Sequence, residues 1–251
     1  TALLSDAQKE AIKRDILEKK KTVSITPEIV DPDYTFVNVT CFVTYDSRRS
    51  FVSESTIKDA AMAAIRNYFS LYLGKFNAPF RYSVLSRYID LASNSIMSNR
   101  ISTSLYKKII PSISFAGNYT LNFDIALNHP YEGYEQSIVK TSIFKHRDSN
   151  NEIKDCFIED DGAGELTLYS MRGSEKVVIK SKLGTIDYQT GKVNLRGFLP
   201  IGTGTLPYIV FGVVPDQRFD IIPKRNQVLQ VDTNSQTAIT VNFLDSATGN
   251  Y

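Results

Sequence analysis

Residues 35–45, TFVNVTCFVTY, alternate without a break. Val37, Val39, Cys41, Val43 and Tyr45 fall on one side, and Phe36, Asn38, Thr40, Phe42 and Thr44 on the other. A period of two over that length is a strand with one strongly apolar face. Such a face has to be covered, and the sequence supplies a cover directly after the turn at Asp46, Ser47 and Arg48. Ser53 or Ser55 caps a helix predicted to run to about Leu73, with Ile57, Ala61, Ala64, Ile65, Tyr68 and Tyr72 on its buried side. Gly74 is placed as the residue that ends it. Pro79 breaks the path, Ser83 caps a second short helix carrying Val84, Leu85, Tyr88 and Ile89, and Ile96 to Leu105 reads as a returning strand. The order is strand, helix, helix, strand.

Ahead of this unit, residues 5–21 open with Ser5 and Gln8 at capping-box spacing. Ala7, Ala11, Ile12, Ile16 and Leu17 form a narrow stripe, and Lys19, Lys20 and Lys21 complement the carbonyl end of an amphipathic helix. From Pro111 onward the helical period disappears and turn residues recur between short alternating segments. In YTLNFDIAL, Tyr119, Leu121, Phe123, Ile125 and Leu127 face inward, as in a half-exposed antiparallel strand. Further strands are predicted at 137–145, 153–158, 165–171, 176–180, 183–188, 192–198, 207–214, 218–222, 227–232 and 238–244. Thr190 and Gly191 supply a tight reversal between Tyr188 and Val193. The expected fold class is α+β: an N-terminal helix or connector at 1–23, a small α/β domain at 24–110, and a mainly antiparallel β domain at 111–251.

Composition narrows the function classes. With 251 residues, 42% hydrophobic and 22% charged, the chain is of ordinary globular make-up. Lys and Arg number 29 against 27 Asp and Glu, so no strong field favours a polyanion, and nucleic acid is not an expected partner. No apolar run reaches the roughly 20 residues a bilayer requires, so no membrane is expected. Thr1 is not an initiator methionine, which gives the expectation of an internal or processed fragment. Two cysteines, Cys41 and Cys156, and two histidines, His129 and His146, make neither a disulfide framework nor a four-ligand zinc site. Cys41 lies on the apolar face of its strand as a small core residue.

Catalytic chemistry is sought with little return. Glu159, Asp160, Asp161 and Glu165 in IEDDGAGEL are the one enzymatic lead, because glycoside hydrolysis needs two carboxylates flanking a bond. Two glycines beside acids also describe a solvated turn between strands. Neither this stretch nor DSNNEIKD at 148–155, with Ile153 where the glycine should be, makes a calcium loop. Gly184 and Gly191 lack the spacing of a phosphate loop, and Gly202 and Gly204 lack the third glycine and helix of a dinucleotide site. His129 in an Asn-His-Pro turn and His146 in a charged stretch both read as exposed. The aromatic load is high, 14 Tyr and 14 Phe with no Trp, which suits protein interfaces. A carbohydrate-binding face is the competing use, and strands and core take much of the content.

Several strings carry a resemblance beyond periodicity. SITPEIVDPDYTFVNVTCFVTYD, followed by YFSLYLGKFNAPFRYSVLSRYIDLASNSIMSNRIS, resembles the J-like baseplate wedge proteins of contractile-tailed bacteriophages, in particular the large wedge subunits of T-even-type phages. Phe80, Arg81, Ser83, Leu85 and Ile89 carry the family's segment ahead of the return strand. DDGAGELTLY, GTIDYQTGKVNL and FDIIPKRNQVL are similar to its β portion, so the likeness spans most of residues 24–232. The resemblance implies a C-terminal fragment of a late, non-catalytic virion subunit of the tail baseplate, assembled in the host bacterial cytoplasm. It implies self-association, as a homodimer or ring of dimers, joining of adjacent wedges around the hub, and binding to other wedge and hub-proximal proteins. It carries over no catalytic, cofactor-binding or metal-ligating residue, no cofactor and no small-molecule substrate. Two other classes stay open at this point: a tail-associated polysaccharide or peptidoglycan hydrolase using Glu159, Asp161 or Glu165, and a host-surface carbohydrate-binding module.

Overall fold

The computed structural model describes residues 4–247 apart from 22–25, 49, 132, 135, 225, 234 and 236. It is an α+β protein built on a mixed sheet with a few helices. Strand β1 (Asp33–Tyr45) buries Val37, Val39, Cys41, Val43 and Tyr45 and leaves the alternate residues half exposed, as the period of two requires. Helix α3 (Glu54–Tyr72) starts where Ser53 Oγ accepts the Thr56 N–H at 3.2 Å. It ends at Gly74, whose φ is +76°. Ile57, Ala61, Ile65, Tyr68 and Phe69 are buried, whereas Tyr72, expected inward, is 41% exposed.

Helix α4 (Tyr82–Asp90) and strand β2 (Ile96–Ile109) complete the unit, and β2 pairs antiparallel with β1. Ser83 does not cap α4, which has Arg81 at its N-cap without a side-chain bond. The first-turn N–H of Tyr82 is instead satisfied by Asp220 Oδ1 at 3.3 Å. With a distant carboxylate in that place, the helix starts before Ser83. Ahead of the sheet, α1 (Asp6–Ile12) carries the expected capping box between Ser5 and Gln8. It runs through a π-helical stretch, Lys13–Leu17, into a last turn, α2 (Glu18–Lys20), and none of these residues is buried.

Beyond β2 come β3 (Gly117–Asn122), β4 (Val139–Thr141), β5 (Phe144–Arg147), β6 (Ile153–Asp160), β7 (Glu165–Arg172), β8 (Glu175–Asp187), β9 (Lys192–Phe198), β10 (Ile209–Val213), β11 (Gln227–Gln230) and β12 (Ile239–Asp245). One path of hydrogen-bonded neighbours runs β11-β1-β2-β10-β4-β6-β7-β8-β9-β3, with β12 also on β1 and β5 also on β6. The sheet thus passes across residue 110, since Ile109 of β2 pairs with Ile209 of β10. The chain then returns to lay β11 and β12, both parallel, end to end along β1. Buried apolar residues from both halves form one contiguous core.

Several predicted strands change shape. YTLNFDIAL stays regular only to Asn122, because Asp124 takes φ +56°. The stretch beyond it ties two places together, with Leu127 N–H donating to Tyr188 O at 2.7 Å and Asn128 N–H to Val214 O at 2.9 Å. The sheet therefore curls back on itself. The segment 137–145 is two strands, β4 and β5. The segments 176–180 and 183–188 are one, β8, with a bulge where Lys182 has φ +56° and the register against β7 shifts. Residues 218–222 are not a strand; Ile221 makes an isolated bridge with Phe80, just ahead of α4, and is buried in the core.

Candidate interaction surface

The acids at 159–165 are dispersed by the strands that carry them. Successive residues of β6 point to opposite faces, so Glu159 goes out and Asp160 goes in. Glu159 pairs with Lys176 across the sheet at 2.6 Å, and Glu165 with Lys182 at 3.3 Å. Asp161 Oδ1 accepts the N–H groups of Ala163 and Glu165 at 2.8 and 2.9 Å, which forms the turn. Asp160, read from the sequence as part of a solvated turn, is 5% exposed. Its Oδ1 accepts from Ile138 N–H and Val139 N–H at 2.7 Å and from Ser137 Oγ at 3.0 Å, and its Oδ2 from Tyr188 OH at 2.9 Å. Glu159 and Glu165 thus lie in surface ion pairs, Asp161 shapes the turn, and Asp160 alone of the four anchors buried backbone.

Both histidines are half buried rather than exposed. His129 lies flat on the Tyr188 ring at 3.8 Å between centroids, with Nε2 2.8 Å from Gly162 O. His146 has Nδ1 at 2.6 Å from Arg147 O, and burial holds its pKa below the usual value. Cys41 and Cys156 are fully buried and free. Burial pushes the Cys41 thiol up to about 12 and the Cys156 thiol to about 11. The thiolate is the reacting species, so iodoacetamide at pH 8 is expected to leave both unlabelled in the native protein and to label both after denaturation. Native labelling at either site, followed by peptide mass spectrometry, would show that this part of the core opens. Among the described residues no cluster of His, Cys, Asp and Glu could hold a metal ion, and no helix is long and apolar enough to cross a membrane.

Much of the aromatic content is internal. Tyr68 is the centre of a cluster between α3 and α4, with ring centroids 4.9 Å from Tyr72, 5.7 Å from Phe80 and 5.9 Å from Tyr88. On the sheet face away from the helices, Phe36 stacks on Tyr106 at 5.1 Å and the Lys108 ammonium sits 4.4 Å above the Phe36 ring. A cleft of about 630 Å³ opens where α3 overlies the segment leading into β12, lined by Met62, Phe69, Leu73, Ala238 and Ile239 among others. Its polar lining is Arg66, Ser70, Gln230, Asp232, Thr233 and Ser235. Sequence reading placed β12 correctly but missed that its outer side is an open sheet edge. Residues 237–244, TAITVNFL, contain no charge and no proline, the usual guards of an edge, so they read as an unguarded strand with no local sign that it lies at an edge.

A family model described as baseplate structural protein gp6, C-terminal domain III, matches residues 33–108. Baseplate wedge protein gp6 of Enterobacteria phage T4 is 26% identical over 106 residues, which is 42% of this chain. Residues 33–108 are similar to a domain of a phage baseplate wedge protein. The match begins with the first residue of β1 and ends one residue before the end of β2, so it takes in β1, α3, α4 and nearly all of β2. The strings DDGAGELTLY, GTIDYQTGKVNL and FDIIPKRNQVL lie beyond the residues that the gp6 model matches. The aligned segment covers 16% of the T4 protein, a small part of that wedge subunit.

Proposed function

We propose that this chain is a non-catalytic structural part of a phage tail baseplate wedge, located in the virion and assembled in the host bacterial cytoplasm. The observation that carries the reading is the coincidence of the gp6 family match with the run β1, α3, α4 and β2, in which β1 and β2 pair directly. In this reading residues 24–110 are the J-like unit, 111–251 the β-rich part, and 1–23 a connector. The chain self-associates and joins adjacent wedges into a ring around the hub, with other wedge and hub-proximal proteins as its remaining partners. Near-neutral charge and carboxylates engaged in ion pairs and turns support a scaffold over a hydrolase.

Light scattering during size-exclusion chromatography at high micromolar concentration tests this reading. A dimer is expected, and a strict monomer overturns self-association. Zymography on bacterial cell walls tests the other half. No clearing is expected, and a clearing zone abolished by Glu159→Gln, Asp161→Asn and Glu165→Gln together would overturn the non-catalytic assignment.

A further inference from the structure

The outer side of β1 is bordered by β11 and then by β12, and the fold treats these two strands differently. Beyond β11 the chain provides a cover: Gly74 N–H donates to Leu229 O at 2.8 Å, and Phe76 bridges antiparallel to Val228. Beyond β12, among the described residues, no strand follows, and its only strand partner is β1. Val39 N–H donates to Ala238 O at one end of the pair and Ser246 N–H to Tyr45 O at the other, both at 2.9 Å. In a parallel ladder this phase turns the backbone groups of Thr240, Asn242 and Leu244 toward β1 and those of Ile239, Val241 and Phe243 outward. The opposite end of the sheet, β3, is interrupted by a register shift between Gly117 and Tyr119, a common protection of an edge. β12 has none.

We propose that the outer edge of β12 pairs antiparallel with the same edge of a second copy of this chain, about a two-fold axis passing beside Val241. This rests on the self-association reading and says where the copies meet. An isologous contact requires a surface complementary to itself, and the register supplies that test. Centring on Val241 sets Ile239 opposite the partner's Phe243 and Thr240 opposite the partner's Asn242. An aliphatic–aromatic pair thus continues the helix-covered layer, where Ile239, Val241 and Phe243 lie in register with buried Val39, Cys41 and Val43. A polar pair continues the other face. The charge of Asp245 falls opposite Thr237, so no like charges meet.

Other registers do worse. Centring on Phe243 sets Asp245 against the partner's Val241 on the apolar side and shortens the ladder, and centring on Ile239 sets Phe243 against Ser235. A second observation agrees with the Val241 register. The cleft lined by Met62, Phe69, Leu73, Ala238 and Ile239 opens beside Ile239, which is where this register delivers the partner's Phe243 ring. Ile239 and Phe243 are only partly buried in one copy, and pairing would cover both.

Mixed disulfide cross-linking of two single variants tests the register. Thr240 and the partner's Asn242 form a non-hydrogen-bonded pair with Cα atoms about 4.5 Å apart, within disulfide reach, whereas like residues sit on a diagonal of about 7–8 Å. Thr240→Cys mixed with Asn242→Cys is expected to give a disulfide-linked dimer under mild oxidation, with each variant alone giving less than about a tenth as much. Phe243→Lys is expected to weaken the dimer at least about tenfold while the protein stays folded by circular dichroism. A parent protein that is dimeric yet gives no mixed cross-link overturns the edge assignment and leaves self-association standing. A parent protein that is monomeric overturns both. A Phe243→Lys protein that dimerises as tightly as the parent also overturns the edge assignment.

Discussion

Gly191→Val is expected to lower the thermal unfolding midpoint by about 10 °C or to prevent folding, while Lys192→Ala next to it shifts the midpoint by no more than about 2 °C. Two costs add at Gly191. Its φ is +66°, which costs a residue with a Cβ about 1–3 kcal/mol, most for a β-branched one. A Cβ there would also lie 2.5 Å from Ile125 O. That oxygen cannot give way cheaply, because its segment is held on both sides, with Phe123 N–H donating to Gly191 O at 3.0 Å and Leu127 N–H to Tyr188 O at 2.7 Å. The contact separates this account from simple turn preference. If only φ mattered, Gly191→Asn would be tolerated, since Asn readily takes left-handed conformations; the close approach predicts that it fails nearly as badly as Val. Lys192 is exposed and has neither constraint. Equal midpoints for Gly191→Val and the parent, in differential scanning calorimetry, would show that the β8–β9 turn is not where the sheet closes.

The parts of the fold that the sequence announces are those whose cause is local. β1 is visible because its burial follows its own period, and α3 because Ser53 caps it from one end and Gly74 closes it at the other. The α4 start has no local signal because the acceptor of its first-turn Tyr82 N–H is the Asp220 carboxylate, more than a hundred residues away. β8 looked like two strands since a single residue, Lys182 at φ +56°, breaks the alternation without breaking the strand. Residues 218–222 alternate as a strand does, yet no neighbour runs alongside for more than one bridge. The return of β11 and β12 to β1 is a pairing across most of the chain, and periodicity carries no information about which strand a strand joins. The candidate surface follows the same division. That 238–244 is an unguarded strand could be read from its residues, but that it is an edge could not. Likewise the acids at 159–165 are alike in sequence and are told apart only by what the rest of the fold brings to them.

That difference sets the second large expectation: Asp160→Ala should cost about 3–5 kcal/mol, and Glu159→Ala less than about 1 kcal/mol, although the two residues are adjacent. Glu159 lies in an ion pair with Lys176 whose two side chains are 18% and 53% exposed. Water takes over most of that interaction when it is lost. Asp160 is held between β4 and the β8–β9 turn, accepting two backbone N–H groups and a hydroxyl on one oxygen and the Tyr188 hydroxyl on the other. Truncation to Ala removes the acceptor and leaves the N–H groups of Ile138 and Val139 buried without a replacement. Water does not reach them readily, because the residues around are Ile138 at 3% and Val139 at 0% exposure. The damage should spread along the contacts, since Tyr188 also carries the stacked His129 ring. Asp160→Asn is the informative intermediate: its carbonyl oxygen can keep the bonds from Ile138 and Val139 while its amide meets the Tyr188 oxygen, so it should recover more than half of the loss. Urea denaturation of the three variants measures these differences directly. Losses of similar size for Asp160→Ala and Glu159→Ala would mean that the buried carboxylate is not what fastens β4 to the curled sheet.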